Sequence, residues 1–168
     1  DSSYAGSTAG VVVNLNTTVG AMNDAIGDTF TLIQNLTGTA FDDKLTGLAA
    51  GGSILTGGAG ADQLIGLGYT AGNVATANTA NYAGSSSGVT INLSAVTVDV
   101  LNPLGGLAAG AGRGGDAEGD TLSGIQNLVG SSFNDTFYAS SQTNIFNGGV
   151  SDASSHNRVV YTLSLIHI

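Results

Sequence analysis

The stretch Gly57-Gly58-Ala59-Gly60-Ala61-Asp62-Gln63-Leu64-Ile65 puts three glycines in its first four residues, a carboxylate sixth and a leucine eighth. Glycine takes positive φ at no steric cost, so such a run can turn tightly and aim successive carbonyls at one spot. An aspartate at the end of the turn adds charge beside them. Carbonyl and carboxylate oxygens together are the donor set of calcium, which takes six to eight oxygens. Working outward, Leu36, Leu45, Leu55 and Leu64 lie nine, ten and nine residues apart, and Leu128, Phe137 and Phe146 lie nine apart. Neither the helical period of 3.6 nor simple strand alternation produces that spacing. It predicts a coil in which each nine-residue step supplies one turn and one very short strand with its apolar residue inward. No single step can bury that residue, but stacked steps can.

A longer repeat contains the shorter one. Tyr4-Ala5-Gly6-Ser7 followed by Gly10-Val11-Val12-Val13-Asn14-Leu15 returns as Tyr82-Ala83-Gly84-Ser85 followed by Gly88-Val89-Thr90-Ile91-Asn92-Leu93. Gly27-Asp28-Thr29 through Ile33-Gln34-Asn35-Leu36 returns as Gly119-Asp120-Thr121 through Ile125-Gln126-Asn127-Leu128, and Gly38 to Asp43 returns as Gly130 to Asp135. The offset grows between these pairs, so about 14 residues are inserted between Ser94 and Gly119. The chain divides into unit 1 (residues 1–80), unit 2 (81–160, with a Gly-rich insertion near 96–118) and residues 161–168. That last stretch is either the start of a third unit at Val160-Tyr161 or a non-native tail, since Ser164 to Ile168 breaks the compositional pattern. The start at Asp1 rather than Met reads as a piece of a longer protein.

Composition narrows the function classes. Of 168 residues 27 are Gly, Lys and Arg total 3, Asp and Glu total 12, and the formal charge is −9. Glu118 is the sole glutamate, so nearly all the charge sits on the shorter carboxylate, which suits turns and hard cations. Acidity of this kind also simply keeps a surface soluble. No basic patch is available to neutralise phosphates, which makes nucleic acid a poor partner. Cysteine is absent, so neither disulfides nor thiolate zinc sites hold the fold. No apolar run is long enough to span a membrane, and no segment reads as a signal peptide.

Gly57 to Ile65 resembles the nonapeptide G-G-x-G-x-D-x-U-x of the RTX, or haemolysin-type, calcium-binding repeats at every specified position. Gly38 to Gly66 as a whole looks like such repeats, one strict and several decayed. The resemblance implies an all-β, right-handed parallel β-roll or solenoid built from short strands and Gly-rich turns, in two degenerate units. It also implies Ca2+ as the bound group and two nonapeptides per coil, so that turns on one side recur every second step and sandwich each ion. Counting back two residues from each ladder position gives Gln34, Asp43, Ser53 and Asp62 in unit 1. Asp43 and Asp62 then share one side, with carbonyls near Gly58 and Gly60 and the Asp62 carboxylate forming half a site. Unit 2 gives Gln126, Asp135 and Asn144. Gly148-Gly149-Val150-Ser151-Asp152 resembles a nonapeptide one residue short, which would set Asp152 on the side of Asp135. Departures are plain: Thr39 and Phe41 stand where the family has glycines, and the step ending at Leu55 lacks the Asp. A metal-free edge in which Asp and Asn merely cap turns is the alternative. For Asp28 and Asp120, each between Gly and Thr, closing a turn is the favoured role over metal ligation.

No catalytic group is expected. His156 and His167 are the only histidines and form no His-Glu-x-x-His motif, and Asp116 with Glu118 makes no convincing glycosidase pair. Gly105 to Gly115 lacks the Lys-Ser/Thr end of a phosphate loop and reads as a flexible excursion from the coil. The leading expectation is therefore a calcium-binding structural module of a secreted, extracellular bacterial protein (an adhesin, a toxin or an exoenzyme tail) exported by a type I route. Its partners would be calcium ions, with cell-surface glycans or other repeats of the parent as further candidates. A metal-independent adhesive or carbohydrate-binding solenoid, or an accessory module of a polysaccharide-modifying enzyme, is the alternative. The coil is expected to be interrupted near Gly68–Asn81 and Val96–Glu118, with Val11–Leu15 and Val89–Leu93 as ordinary strands packed against it. An irregular β-sandwich is the competing fold.

Overall fold

A computed structural model of the chain describes residues 1–17, 20–98, 106–149 and 156–161. Among them are fourteen strands of two or three residues and three single 3-10 turns, with no α-helix. One sheet runs β1 (Ser2–Ser3), β3 (Asn35–Thr37), β5 (Ile54–Thr56), β7 (Thr79–Asn81), β11 (Asn127–Val129), β13 (Phe146–Asn147). The other runs β2 (Val12–Asn14), β4 (Lys44–Thr46), β6 (Gln63–Ile65), β10 (Thr121–Ser123), β9 (Ala111–Arg113), β8 (Thr90–Asn92), β12 (Thr136–Tyr138), β14 (Arg158–Val160). Apart from β9 and β10, the chain alternates between sheets with each strand. Every pairing is parallel except those of β9 with β8 and β10. Parallel pairing throughout most of both sheets is not the pattern of an antiparallel sandwich.

Strands this short follow from the sequence. Glycine-bearing turns leave room for only three extended residues, and side chains alternate across a strand, so the central one points inward. In register, Leu36 lies beside Leu55, Leu55 beside Ala80, Ala80 beside Leu128 and Leu128 beside Phe146. In the second sheet Val13, Leu45, Leu64 and Leu122 form one row, and Ile91, Phe137 and Val159 another. Central residues from both sheets, apart from the exposed Val159, meet in one buried cluster, which also takes in Tyr82, Val89 and Ala117. The rings of Phe137 and Phe146 stack with centroids 5.5 Å apart. Each buried leucine contributes about 1.5–3 kcal/mol, and the cluster crosses residue 80 without a break, as do both sheets.

Three expectations about the layout are corrected. The segments Val11–Leu15 and Val89–Leu93 are not strands packed against the coil. They are β2 and β8, rows of the second sheet itself, because Val13 and Ile91 sit in the same inward register as Leu45 and Phe137. The interruption at 68–81 ends earlier, since Thr79–Asn81 is β7 and pairs with β5 and β11. Its centre, Ala80, is too small to stand out as a ladder residue. The insertion is not wholly an excursion either. Ala111–Arg113 returns as β9, wedged antiparallel between β8 and β10, so the second sheet has eight strands against six in the first. Asn92 fastens its base: Nδ2 donates to the carbonyls of Val96, Leu107 and Ala108, at 2.9 Å each. Residues 99–105, Asp152 and residues 162–168 lie outside the described residues. Tyr161 follows a strand of the second sheet, whereas Tyr4 and Tyr82 follow strands of the first.

Candidate metal site

In most coils the turn preceding the strand carries a polar residue two positions before the strand centre; before β2 and β8 that position is Val11 and Val89. On one edge this residue accepts the backbone N–H of its counterpart in the adjacent coil. Val11 N–H donates to Asp43 Oδ1 at 2.7 Å, Asp43 N–H to Asp62 Oδ1 at 2.8 Å, and Asp62 N–H to Asp120 Oδ1 at 2.8 Å. Further along, Val89 N–H donates to Asp135 Oδ1 at 2.8 Å and Asp135 N–H to Asn157 Oδ1 at 2.9 Å. The other edge repeats the device without charge: Ser53 N–H donates to Asn78 Oδ1 and Asn78 N–H to Gln126 Oε1. Each turn buries a backbone donor, and a buried donor needs an acceptor. The position is therefore polar wherever it must accept such an N–H, whatever its charge, and is Val11 or Val89 where it only donates.

Asp43, Asp62, Asp120 and Asp135 are all buried, none more than 3% exposed. Their second oxygens differ. Asp43 Oδ2 accepts the Thr39 N–H at 2.6 Å, and Thr39 Oγ1 lies 3.2 Å from Oδ1. In unit 2, Asp135 Oδ2 accepts the Ser131 N–H at 2.9 Å, and the Ser131 hydroxyl donates to Oδ1 at 2.8 Å. Asp120 Oδ2 accepts the Tyr82 hydroxyl at 2.8 Å. Asp62 Oδ2 has no partner, alone among the buried side-chain polar atoms of the described residues. No backbone N–H of its own turn reaches it, whereas those of Thr39 and Ser131 reach the Oδ2 of Asp43 and Asp135.

Gly58 and Gly60 have φ of 105° and 118°, a region other residues rarely enter. A side chain at Gly58 would strike the Thr39 carbonyl, and one at Gly60 the Phe41 backbone. Turn 57–62 thus lies directly on turn 38–43. A side chain at Gly38 would meet both the Asp43 carboxylate and the Gly57 carbonyl, so these two oxygens face the same small space. Burial, together with the nearby charges of Asp120, Asp43 and Asp42, raises the Asp62 carboxyl to about 8, although the hydrogen bond from Asp43 N–H pulls the other way. Burial likewise raises Asp120 to about 6, against the hydrogen bonds from Asp62 N–H and the Tyr82 hydroxyl.

Backbone and carboxylate oxygens with an uncompensated buried anion fit calcium. Among the described residues no three Asp, Glu, His or Cys side chains gather into a cluster, so an ion here would draw much of its coordination from carbonyls. Asp43, Gly58, Gly60 and Asp62 are brought together. Asp135 sits at the same place in its own coil, far along the edge, and in the described residues its neighbour is Asn157. Asp120 was not expected in this stack, yet it joins Asp62 directly. Asp28, its counterpart in unit 1, is exposed and accepts the Tyr4 hydroxyl at 2.7 Å. The rule of counting back two finds Asn78, Asp120 and Asn157 once Ala80, Leu122 and Val159 are known to be strand centres.

Residues 37–68 and 120–152 match the RTX calcium-binding nonapeptide repeat, in four copies. The chain carries repeats of this family, and such repeats bind calcium. No match was found among curated proteins or solved structures.

Proposed function

We propose that the chain is a calcium-stabilised structural module, a right-handed β-roll in two degenerate units, from a secreted bacterial protein. The observation that carries this reading is the buried, partnerless Oδ2 of Asp62 in the one strict nonapeptide. A buried anion without compensation is costly, and a divalent cation at that oxygen supplies the compensation. Asp62 with carbonyls near Gly58 and Gly60 forms the principal seat. Asp43 flanks it, and Asp135 holds the corresponding place in unit 2. The ion's role is structural, since its binding energy becomes folding energy. Calcium is abundant outside cells, and proteins with these repeats are typically secreted, so folding would be completed after export. No helix among the described residues is long and apolar enough to cross a membrane. Circular dichroism and thermal unfolding in metal-free buffer and in millimolar calcium test the reading. A melting temperature that climbs with calcium supports it, and identical curves in both conditions refute it.

A further inference from the structure

We infer that the chain carries a second binding site, on the edge opposite the acidic one, and that this site takes a neutral oligosaccharide. It is a cleft of about 650 Å3 at the ends of β6, β8, β10 and β12. Turn lengths create it. Between β4 and β5 the turn has seven residues, 47–53, but between β10 and β11 it has three, 124–126. Gly124, Ile125 and Gln126 of that short turn floor the recess. Around it stand Leu67 and Tyr69 from the long connection after β6, Leu93 and Ala109 from the base of the insertion after β8, and Ser140 to Gln142 after β12. The stretches that break the regular coil thus converge on one place.

Buried amides hold these walls in place. Asn78 Nδ2 donates to the carbonyls of Leu67, at 2.9 Å, and Gly124, at 3.1 Å, tying one wall to the floor. Gln126, also buried, donates from Nε2 to Gln142 Oε1 at 3.2 Å, tying the floor to another. A preformed cleft of this size lies in the range of small-molecule sites, about 300–1,000 Å3, and loses little ordering entropy on binding. Its chemistry selects the ligand class. The chain has 12 acidic residues and a charge of −9, yet no charged side chain lines the cleft among the described residues. A cation finds no carboxylate there, and an anion meets a protein of its own sign. Leu67, Leu93, Leu122, Ile125 and the Tyr69 side chain supply apolar surface. Ser141 and Gln142 are exposed, so the hydroxyl and amide they bring to the cleft are open to a ligand. An extended peptide would recruit a free strand edge, but β6, β8, β10 and β12 are each paired on both sides. A sugar meets every condition: no charge, a C–H face for tyrosine and leucine, and hydroxyls that both donate and accept.

Calorimetric titration of the whole chain in millimolar calcium, with cellotetraose, xylotetraose, maltotetraose and mannotetraose, tests this on the parent, Tyr69→Ala, Gln142→Ala and Gln34→Ala. Gln34 holds the place of Gln126 in unit 1, is exposed and does not line the cleft. At least one tetrasaccharide is expected to bind, one per chain, with a Kd under about 1 mM. Tyr69→Ala and Gln142→Ala should each weaken it at least tenfold while melting within a few degrees of the parent, and Gln34→Ala should stay within twofold. Tetragalacturonate should bind at least tenfold more weakly than the neutral sugar. Failure of all four tetrasaccharides to saturate the parent by about 10 mM overturns the inference. So does sugar binding that survives both cleft variants, or tighter binding of an uncharged Ser/Asn/Ala hexapeptide. A chain that binds sugar but no calcium refutes only the calcium reading, so the two failures are distinguishable.

Discussion

Asp62→Asn should stabilise the metal-free protein at alkaline pH while abolishing its response to calcium. The asparagine keeps an acceptor for the Asp43 N–H, made at 2.8 Å in the parent, but carries no charge. In the parent, burial lifts the carboxyl from 3.8 to about 8. Because the folded-state value is raised, the stabilising contribution of the bound proton is complete below pH 4 and is lost as pH rises through 8. At about 1.4 kcal/mol per pH unit, ionising Asp62 in the metal-free fold costs on the order of 5 kcal/mol by pH 9, a large part of the 5–15 kcal/mol that holds a typical domain. The variant escapes this loss but buries an amide N–H2 with no acceptor, costing about 1–3 kcal/mol. The net gain at pH 9 is therefore about 2–4 kcal/mol, or on the order of 10 °C in melting temperature for a chain this size. At pH 4 the order should reverse, with the variant slightly the less stable. Thermal unfolding followed by circular dichroism from pH 4 to 9 in metal-free buffer reads both arms. Parallel profiles for parent and variant would refute the reasoning, because they would mean Asp62 carries no buried charge.

Three further outcomes follow from the same geometry. Gly58→Ala forces a Cβ into the Thr39 carbonyl at a positive φ, and should cost at least about 3 kcal/mol, seen as a lower denaturant midpoint in calcium. Leu64→Ala empties the row between Leu45 and Leu122 and should cost about 2–5 kcal/mol by the same measurement, with or without metal. Tyr82→Phe orphans Asp120 Oδ2 and should cost about 1.5–3 kcal/mol, growing as pH rises through 6, the value to which Asp120 is raised. Tyr4→Phe, whose partner Asp28 is exposed, should cost under about 1 kcal/mol and serves as its control.

The nine-residue spacing of large apolar residues made the coil readable, because only an inward ladder demands it. It failed where that signal failed. Ala80 fills a strand centre without being large, and Leu122 sits out of step because β9 and β10 add two strands to one sheet only. Hidden with them were Asn78 and Asp120, which lie two residues before those centres. Counting back two located Asp43, Asp62 and Asp135 correctly on the edge, since the buried N–H of each neighbouring coil requires an acceptor there. The same count could not show which carboxylates were already satisfied. That depends on whether the backbone N–H four residues earlier, or the hydroxyl of Tyr82, reaches the second oxygen. Pairing of Tyr82 with Asp120 joins residues 38 positions apart and leaves no local pattern. Thr39, which reads as a departure from the family in the sequence, is in three dimensions a donor to the Asp43 carboxylate.

The most direct test of a calcium seat at Asp62 is anomalous X-ray scattering from a crystal grown in calcium. The account predicts a peak within coordination distance, about 2.3–2.6 Å, of Asp62 Oδ2, with none at Asp43, Asp120 or Asp135 except where a ligand is shared with that ion. A map with no peak at Asp62, or with its peaks only at Asp43, Asp120 or Asp135, would contradict it.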